Sequence, residues 1–274
     1  MHLLKKLLLV SAICFSLLLT ACGTKPVTVV GSTALLPVAR TAADKFMEIH
    51  PEITVNVSGG GSFTGLAQVA SGYISIGTSD VPAPAGDPFY SDLVEHIIAI
   101  APFVIIVHPD VQVEDISHEQ LVGVFTGQIT DWQKLGHPVS LPINIIHRPP
   151  SSGSRKVIQE AVLGADEFSL NATVMNSTGE MLKSVSMISG SIGYCDYAYL
   201  AKADVKPLKY NGVEAGFENV ANGSYPIIAY GRMYTKGEPV GYTKSFLDYV
   251  LSEEFQRGVV AEMGFVPVLP DDSV

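Results

Sequence analysis

Cysteine is scarce in this chain. There are three in 274 residues. Cys14 and Cys22 fall in an N-terminal targeting segment, which leaves Cys195 alone in the folded body. One thiol cannot close an intramolecular disulfide, so stability has to come from an apolar core. Cys195 lies in an alternating, strand-like stretch without a cationic neighbour, and reads as a small buried hydrophobe rather than a nucleophile. Charge is sparse too, at 16% against 47% hydrophobic residues, which excludes disorder and points to a globular body. The formal net charge of −10 argues against nucleic acid as a partner. His96, His108, His118 and His137 show no ligand spacing with acids or cysteines, so neither a metal site nor a cofactor is expected. There is no Gly-x-Ser-x-Gly elbow and no Ser–His–acid trio with a spacing logic, which argues against a hydrolase and for a protein that is no enzyme. Internal repeats are absent.

What is present begins with a targeting signal. Lys5 and Lys6 precede an apolar run from Leu7 to Leu19 that is too short to span a bilayer comfortably. It ends in Leu19, Thr20, Ala21 and Cys22, the pattern of a bacterial lipoprotein cleavage box. Residues 1–21 are read as a lipoprotein signal peptide and 22–25 as a lipidated linker. Acyl chains on Cys22 would anchor the protein to the extracytoplasmic face of a membrane.

Beyond the linker, a β-like run ends three times in a Gly/Ser/Thr turn that opens a helical pattern. Val27–Val30 leads through Gly31, Ser32, Thr33 and Ala34 to a helix through Phe46. Ile53–Val57 leads through Ser58–Ser62 (SGGGS) to a short helix from Thr64. Ile143–Ile146 leads through His147–Ser154 (HRPPSSGS) to a helix through Leu163. Each junction aims unpaired N–H groups and the positive end of a helix dipole at one point, which suits an anion. One junction also carries an arginine. The net negative charge is a weak objection, because surface charge is screened within about 8–10 Å at physiological salt.

Strand and helix patterns alternate throughout. Ile74–Gly77 is a short strand running into Asp80, and Ile97–Val107 is a buried central strand interrupted by Pro102. Ser117 and Gln120 open a helix as a capping box. Ser191–Leu200 and Ile227–Tyr234 read as strands, and Phe246–Met263 as one helix. The fold class is α/β with parallel or mixed sheets, in which ligands sit beyond the carboxyl ends of strands.

In this order the residues resemble the phosphate-binding proteins of bacterial high-affinity phosphate ABC transporters. The resemblance rests on Gly31–Thr33, Ser58–Ser62 and Arg148 with Ser152, Gly153 and Ser154. Val124–Trp132 (VFTGQITDW), Ser191–Tyr194, Tyr234–Pro239 and Phe246–Val268 add to it. It implies a periplasmic-binding-protein-like fold, two α/β lobes joined by a two-strand hinge with the ligand in the cleft. The crossings fall near Val107 and Ile227, giving lobe one at 26–106 and 228–274 and lobe two at 107–227. It also implies a closing motion, delivery of inorganic phosphate to an ABC permease with its ATPase, and a monomer.

The resemblance assigns phosphate contacts residue by residue. Arg148 offers a planar fork for two parallel hydrogen bonds. Ser152, Gly153 and Ser154 offer hydroxyl and backbone donors. Ser32 and Thr33 offer hydroxyls, Ala34 and Leu35 amides, and Ser62 a hydroxyl. Asp80 fits a ligand that carries a proton, since a buried carboxylate facing a proton-free sulfate would be left unpaired. Two departures stand out. Ala34 replaces a frequent hydroxyl residue, and Pro150 replaces an acid that pairs with the arginine in some members. Arg155 reads as support rather than contact, and His147 as a solvated or capping group. The competing readings are a receptor for sulfate or molybdate, a surface hydrolase, and an adhesion protein.

Overall fold

The computed structural model describes residues 25–269. The signal segment with Cys22 lies outside the described residues. No helix among the described residues is long and apolar enough to cross a membrane.

The elements run β1 (Val27–Gly31), α1 (Leu36–Ile49), β2 (Val55–Gly59), α2 (Ser62–Ala70), β3 (Ile76–Ser79) and β4 (Leu93–Val107). Next come β5 (Asp115–Ile116), α3 (His118–Phe125), β6 (Asn144–His147), α4 (Gly153–Ile158), β7 (Thr173–Val174), α5 (Thr178–Met187) and β8 (Ser191–Asp196). The chain closes with β9 (Lys206–Pro207), β10 (Lys209–Tyr210), α6 (Phe217–Ala221), β11 (Ile228–Lys236) and α7 (Gly241–Val250). The helical spacing of the first junction is realised in α1, which buries Pro37, Val38, Ala39, Ala42, Ala43 and Phe46. The capping box at Ser117 is formed in full, with Ser117 and Gln120 each satisfying the other's backbone N–H.

Two parallel triplets of strands carry the architecture. β1 pairs in parallel with β2 and β3 in one lobe, and β6 pairs in parallel with β7 and β8 in the other. Long strands join them. β4 runs antiparallel to β11 from Leu93 to Pro102 and antiparallel to β8 from Phe103 to Val107. At about 3.3 Å per residue its 15 residues reach about 50 Å, enough to serve both lobes. The partner change falls at Pro102, ahead of the crossing that the sequence places near Val107. Proline has no N–H to continue a ladder, and the next amide, Phe103, bonds Ile227 O at 2.8 Å. β11 begins at Ile228, opposite Pro102.

One element changes its winding, and two end earlier than their apolar patterns. The helix after the third junction is regular only to Ile158 and widens to a π-turn over Gln159–Leu163. β8 stops at Asp196, whose carboxylate caps a 3-10 turn over Tyr197–Lys202. The single helix expected over 246–263 is broken after Val250, because the Ser252 side chain caps a new turn at Phe255 N. At Asp196 and Ser252 a local polar cap overrides a continuous apolar pattern.

Candidate functional site

Gly31 makes the first turn possible. It has φ +148, and a Cβ there would lie 2.1 Å from Thr78 O. The chain therefore passes against β3 and delivers Ser32 beside Asp80, the residue that follows β3. The second junction ends β2 at Gly59 and starts α2 at Ser62, on the same carboxyl edge of the parallel triplet. In the other lobe, β6 ends at His147 and hands over to Arg148, and Ser152 caps α4 by accepting from Arg155 N at 3.3 Å.

These turns meet at one carboxylate. Asp80 is 3% exposed. Its Oδ1 accepts from Ser32 Oγ at 2.6 Å, and its Oδ2 accepts from Ser154 Oγ at 3.1 Å and, more weakly, from Ser62 Oγ at 3.4 Å. Ser62 Oγ in turn accepts from Asp80 N at 3.1 Å. Burial pushes the Asp80 carboxyl above its ordinary value, while the Ser32 and Ser154 hydroxyls, the charge on Arg148 and the Ser62 hydroxyl pull it back. The third hydroxyl, Ser154, comes from the opposite lobe, so the lobes touch at the site.

Arg148 is almost wholly buried at 2% exposure. Its Nε donates to Met175 O at 2.9 Å, Nη2 to Asn176 O at 2.9 Å and Nη1 to Thr178 Oγ1 at 3.1 Å. Three of a guanidinium's five N–H bonds are thereby used, and one remains on each terminal nitrogen. Two carbonyls and a hydroxyl thus orient the fork. Burial lowers the Arg148 value from the ordinary one, opposed by Tyr194 and Asp80. The Arg148 amide donates to Tyr194 Oη at 3.2 Å.

The remaining sequence-nominated residues are distributed as follows. Ala34 N and Leu35 N donate to Ser32 Oγ at 3.1 and 3.3 Å, closing the first turn on itself. The Thr33 side chain reaches across to Thr178. The amides of Thr33, Ser62, Gly153 and Ser154 have no acceptor among the described residues. Arg155 stacks over the Phe168 ring at 5.0 Å and donates to Arg148 O at 3.3 Å, a supporting role. His147 is buried rather than solvated. It stacks on Phe168 at 4.9 Å and its Nδ1 lies 2.9 Å from Arg148 O. Cys195 is free and buried.

Sequence reasoning missed Thr178 and Tyr199. Thr178 begins α5, directly after the Ser177 N-cap, whose side chain accepts from Glu180 N. Thr173–Val174, then Ser177–Glu180, is a fourth strand–turn–helix junction with a Ser-x-x-Glu capping pattern. Its strand is only two residues long, too short to show as an apolar run. Tyr199 was hidden in the stretch read as continuing β8.

The arrangement is a buried cluster of hydroxyls, free amides, a cationic fork and one protonatable acceptor. That set suits a small tetrahedral oxyanion with a hydrogen to donate. A family model described as a PBP superfamily domain matches residues 19–254. The phosphate-binding protein PstS of Bacillus subtilis is 40% identical over 242 residues, which cover 88% of this chain and 80% of the relative. The chain belongs to the phosphate-binding proteins of the bacterial phosphate ABC transporter. A second family member, PstS of Borreliella burgdorferi, is 25% identical over 89% of this chain and 90% of its own length. A phosphate ABC transporter substrate-binding protein from Clostridium perfringens, solved with bound phosphate, superposes with a TM-score of 0.84 at 30% identity. That match covers 89% of this chain and all of the solved one. A phosphate transport receptor from Vibrio cholerae shares the fold, with a TM-score of 0.71 at 24% identity over 88% of this chain and 100% of its own. The periplasmic-binding-protein-like architecture of two α/β lobes expected from the sequence is the architecture of this family.

Proposed function

We propose that this protein binds inorganic phosphate outside the cytoplasm and delivers it to a membrane ABC permease for import, without chemical change to the ligand. The observation that carries the reading is Asp80, a buried carboxylate set among three serine hydroxyls and opposite the Arg148 fork. A buried acceptor discriminates in favour of a ligand with a proton to give. Phosphate carries one near neutral pH, and sulfate and molybdate do not.

Ser32, Thr33, Ala34, Leu35, Ser62, Asp80, Arg148, Ser152, Gly153 and Ser154 form the proposed ligand shell. Within it, the free amides of Thr33, Ser62, Gly153 and Ser154 and the two remaining Arg148 N–H groups are direct donors. The hydroxyls now on Asp80 turn towards the ligand when it enters. The lobes divide as 26–106 with 228–274 and 107–227, and they open to admit the ion. Lipidation of Cys22 tethers the mature monomer to the membrane beside the permease and its ATPase.

Titration calorimetry of the purified, anion-stripped protein tests the reading. Phosphate is expected to bind at micromolar concentration or below, and sulfate far more weakly. Absence of heat with phosphate near neutral pH overturns the receptor reading. Equal affinity for the two ions overturns the role of Asp80.

A further inference from the structure

Thr33 is held from two directions by the opposite lobe. The Tyr199 hydroxyl donates to Thr33 O at 2.6 Å. Thr178 N–H donates to Thr33 Oγ1 at 3.1 Å, and the two threonine hydroxyls lie 3.0 Å apart. Thr33, Thr178 and Tyr199 are all buried. The Thr33 methyl is seated against Gly59, where a Cβ would come within 2.8 Å of it. That seat directs the hydroxyl towards the other lobe.

Both partners are themselves braced. Thr178 stands at the first turn of α5, fixed by the Ser177 cap. Tyr199 sits on the 3-10 turn whose start is tied by Asp196 Oδ1 accepting from Ala198 N at 2.9 Å. Thr178 Oγ1 has a further partner, Arg148 Nη1, at 3.1 Å. A continuous path of hydrogen bonds therefore runs from Tyr199 through Thr33 and Thr178 to the arginine.

We propose that Thr178 and Tyr199 are positioning residues that clasp Thr33, hold the lobes together, and couple closure to the orientation of Arg148. They set how slowly the ligand leaves without touching it. The ligand named in the test rests on the phosphate reading above, whereas the clasp itself rests on the interlobe hydrogen bonds. When the lobes part, the Thr33 carbonyl and the Tyr199 hydroxyl both regain water, so the clasp favours the closed form by the net value of a buried hydrogen bond. Such a difference appears chiefly in the dissociation rate.

The experiment is stopped-flow measurement of phosphate release from the full-length protein, paired with spin-label distances between the lobes. Tyr199→Phe removes one hydroxyl, and release is expected to be about three- to tenfold faster with association little changed. Thr178→Val removes the hydroxyl shared by Thr33 and Arg148 while leaving the backbone N–H on Thr33 Oγ1; it is expected to release faster than the unaltered protein, and Thr178→Ser restores the slow rate. A release rate for Tyr199→Phe equal to that of the unaltered protein overturns the clasp. A merely structural tyrosine would lower the urea midpoint, measured alongside, without changing release. Should the unaltered protein bind no phosphate, the ligand reading fails, and the clasp is judged on the ligand-free protein. There Tyr199→Phe must widen the interlobe distance, and an unchanged distance overturns it.

Discussion

Gly153 of one lobe packs directly on Ser62 of the other. A Cβ at Gly153 would lie 2.1 Å from Ser62 Oγ and 3.1 Å from Asp80 Cβ. Glycine at this position is a condition for closure rather than a flexible turn element. Gly153→Ala is expected to fold normally and to weaken phosphate binding by about ten- to a hundredfold, the cost of forcing a methyl into a packed contact. Calorimetry gives the affinity, and small-angle scattering shows whether the phosphate-saturated variant stays extended. An unchanged affinity means that the lobes meet elsewhere.

Removing the arginine should be far more costly than removing one serine. Arg148→Ala deletes the buried cation and leaves Met175 O and Asn176 O without donors. Binding is expected to fall by at least about a hundredfold. Ser154→Ala removes one hydroxyl from Asp80 and should cost about tenfold or less. Calorimetry under one buffer compares the two, and normal binding by Arg148→Ala shows that the third junction is misassigned.

Selectivity should depend on Asp80 more than affinity does. Asp80→Asn keeps the shape, removes the charge and offers an amide that can donate. The ratio of sulfate to phosphate dissociation constants is expected to shrink by at least about tenfold, mostly through improved sulfate binding. Competition titrations with both ions measure the ratio directly, and an unchanged ratio places discrimination in other residues.

Asp196 offers a test through stability. It is fully buried, its Oδ2 has no hydrogen-bond partner among the described residues, and burial together with the field of Asp80 raises its carboxyl well above the ordinary value of 3.8. The folded state therefore keeps a proton that the unfolded chain has released at the same pH. Stability from this group is present below the unfolded value and is lost as pH rises through the folded one. Asp196→Asn removes the ionisation and should flatten that decline, so that the variant gains on the unaltered protein as pH rises. Urea unfolding across pH 4 to about 8 reads both effects. Asp80, raised in the same direction, leaves a residual slope.

Much of the candidate site is legible in the sequence because its residues follow β-runs at the carboxyl edge. Ser32, Ser62, Asp80, Arg148 and Ser154 all sit in such turns, and the structure gathers them. Composition and spacing could not show what the side chains do once gathered. Ala34 N and Leu35 N turn inward to Ser32, and Ser152 serves as a cap. Thr178 and Tyr199 were illegible because their partners lie 145 and 166 positions away in sequence. Elements end short of their apolar patterns where a short polar side chain intercepts the backbone, as Ser252 and Asp196 do.

Pro102 has a consequence for the cost of motion. At the residue where β4 passes from one lobe's partner strand to the other's, the backbone has no N–H. The ladder is already missing a rung there, so bending at that point requires no hydrogen bond from proline nitrogen to be broken and remade. The proposed opening and closing of the lobes can thus be accommodated by torsion in an intact strand.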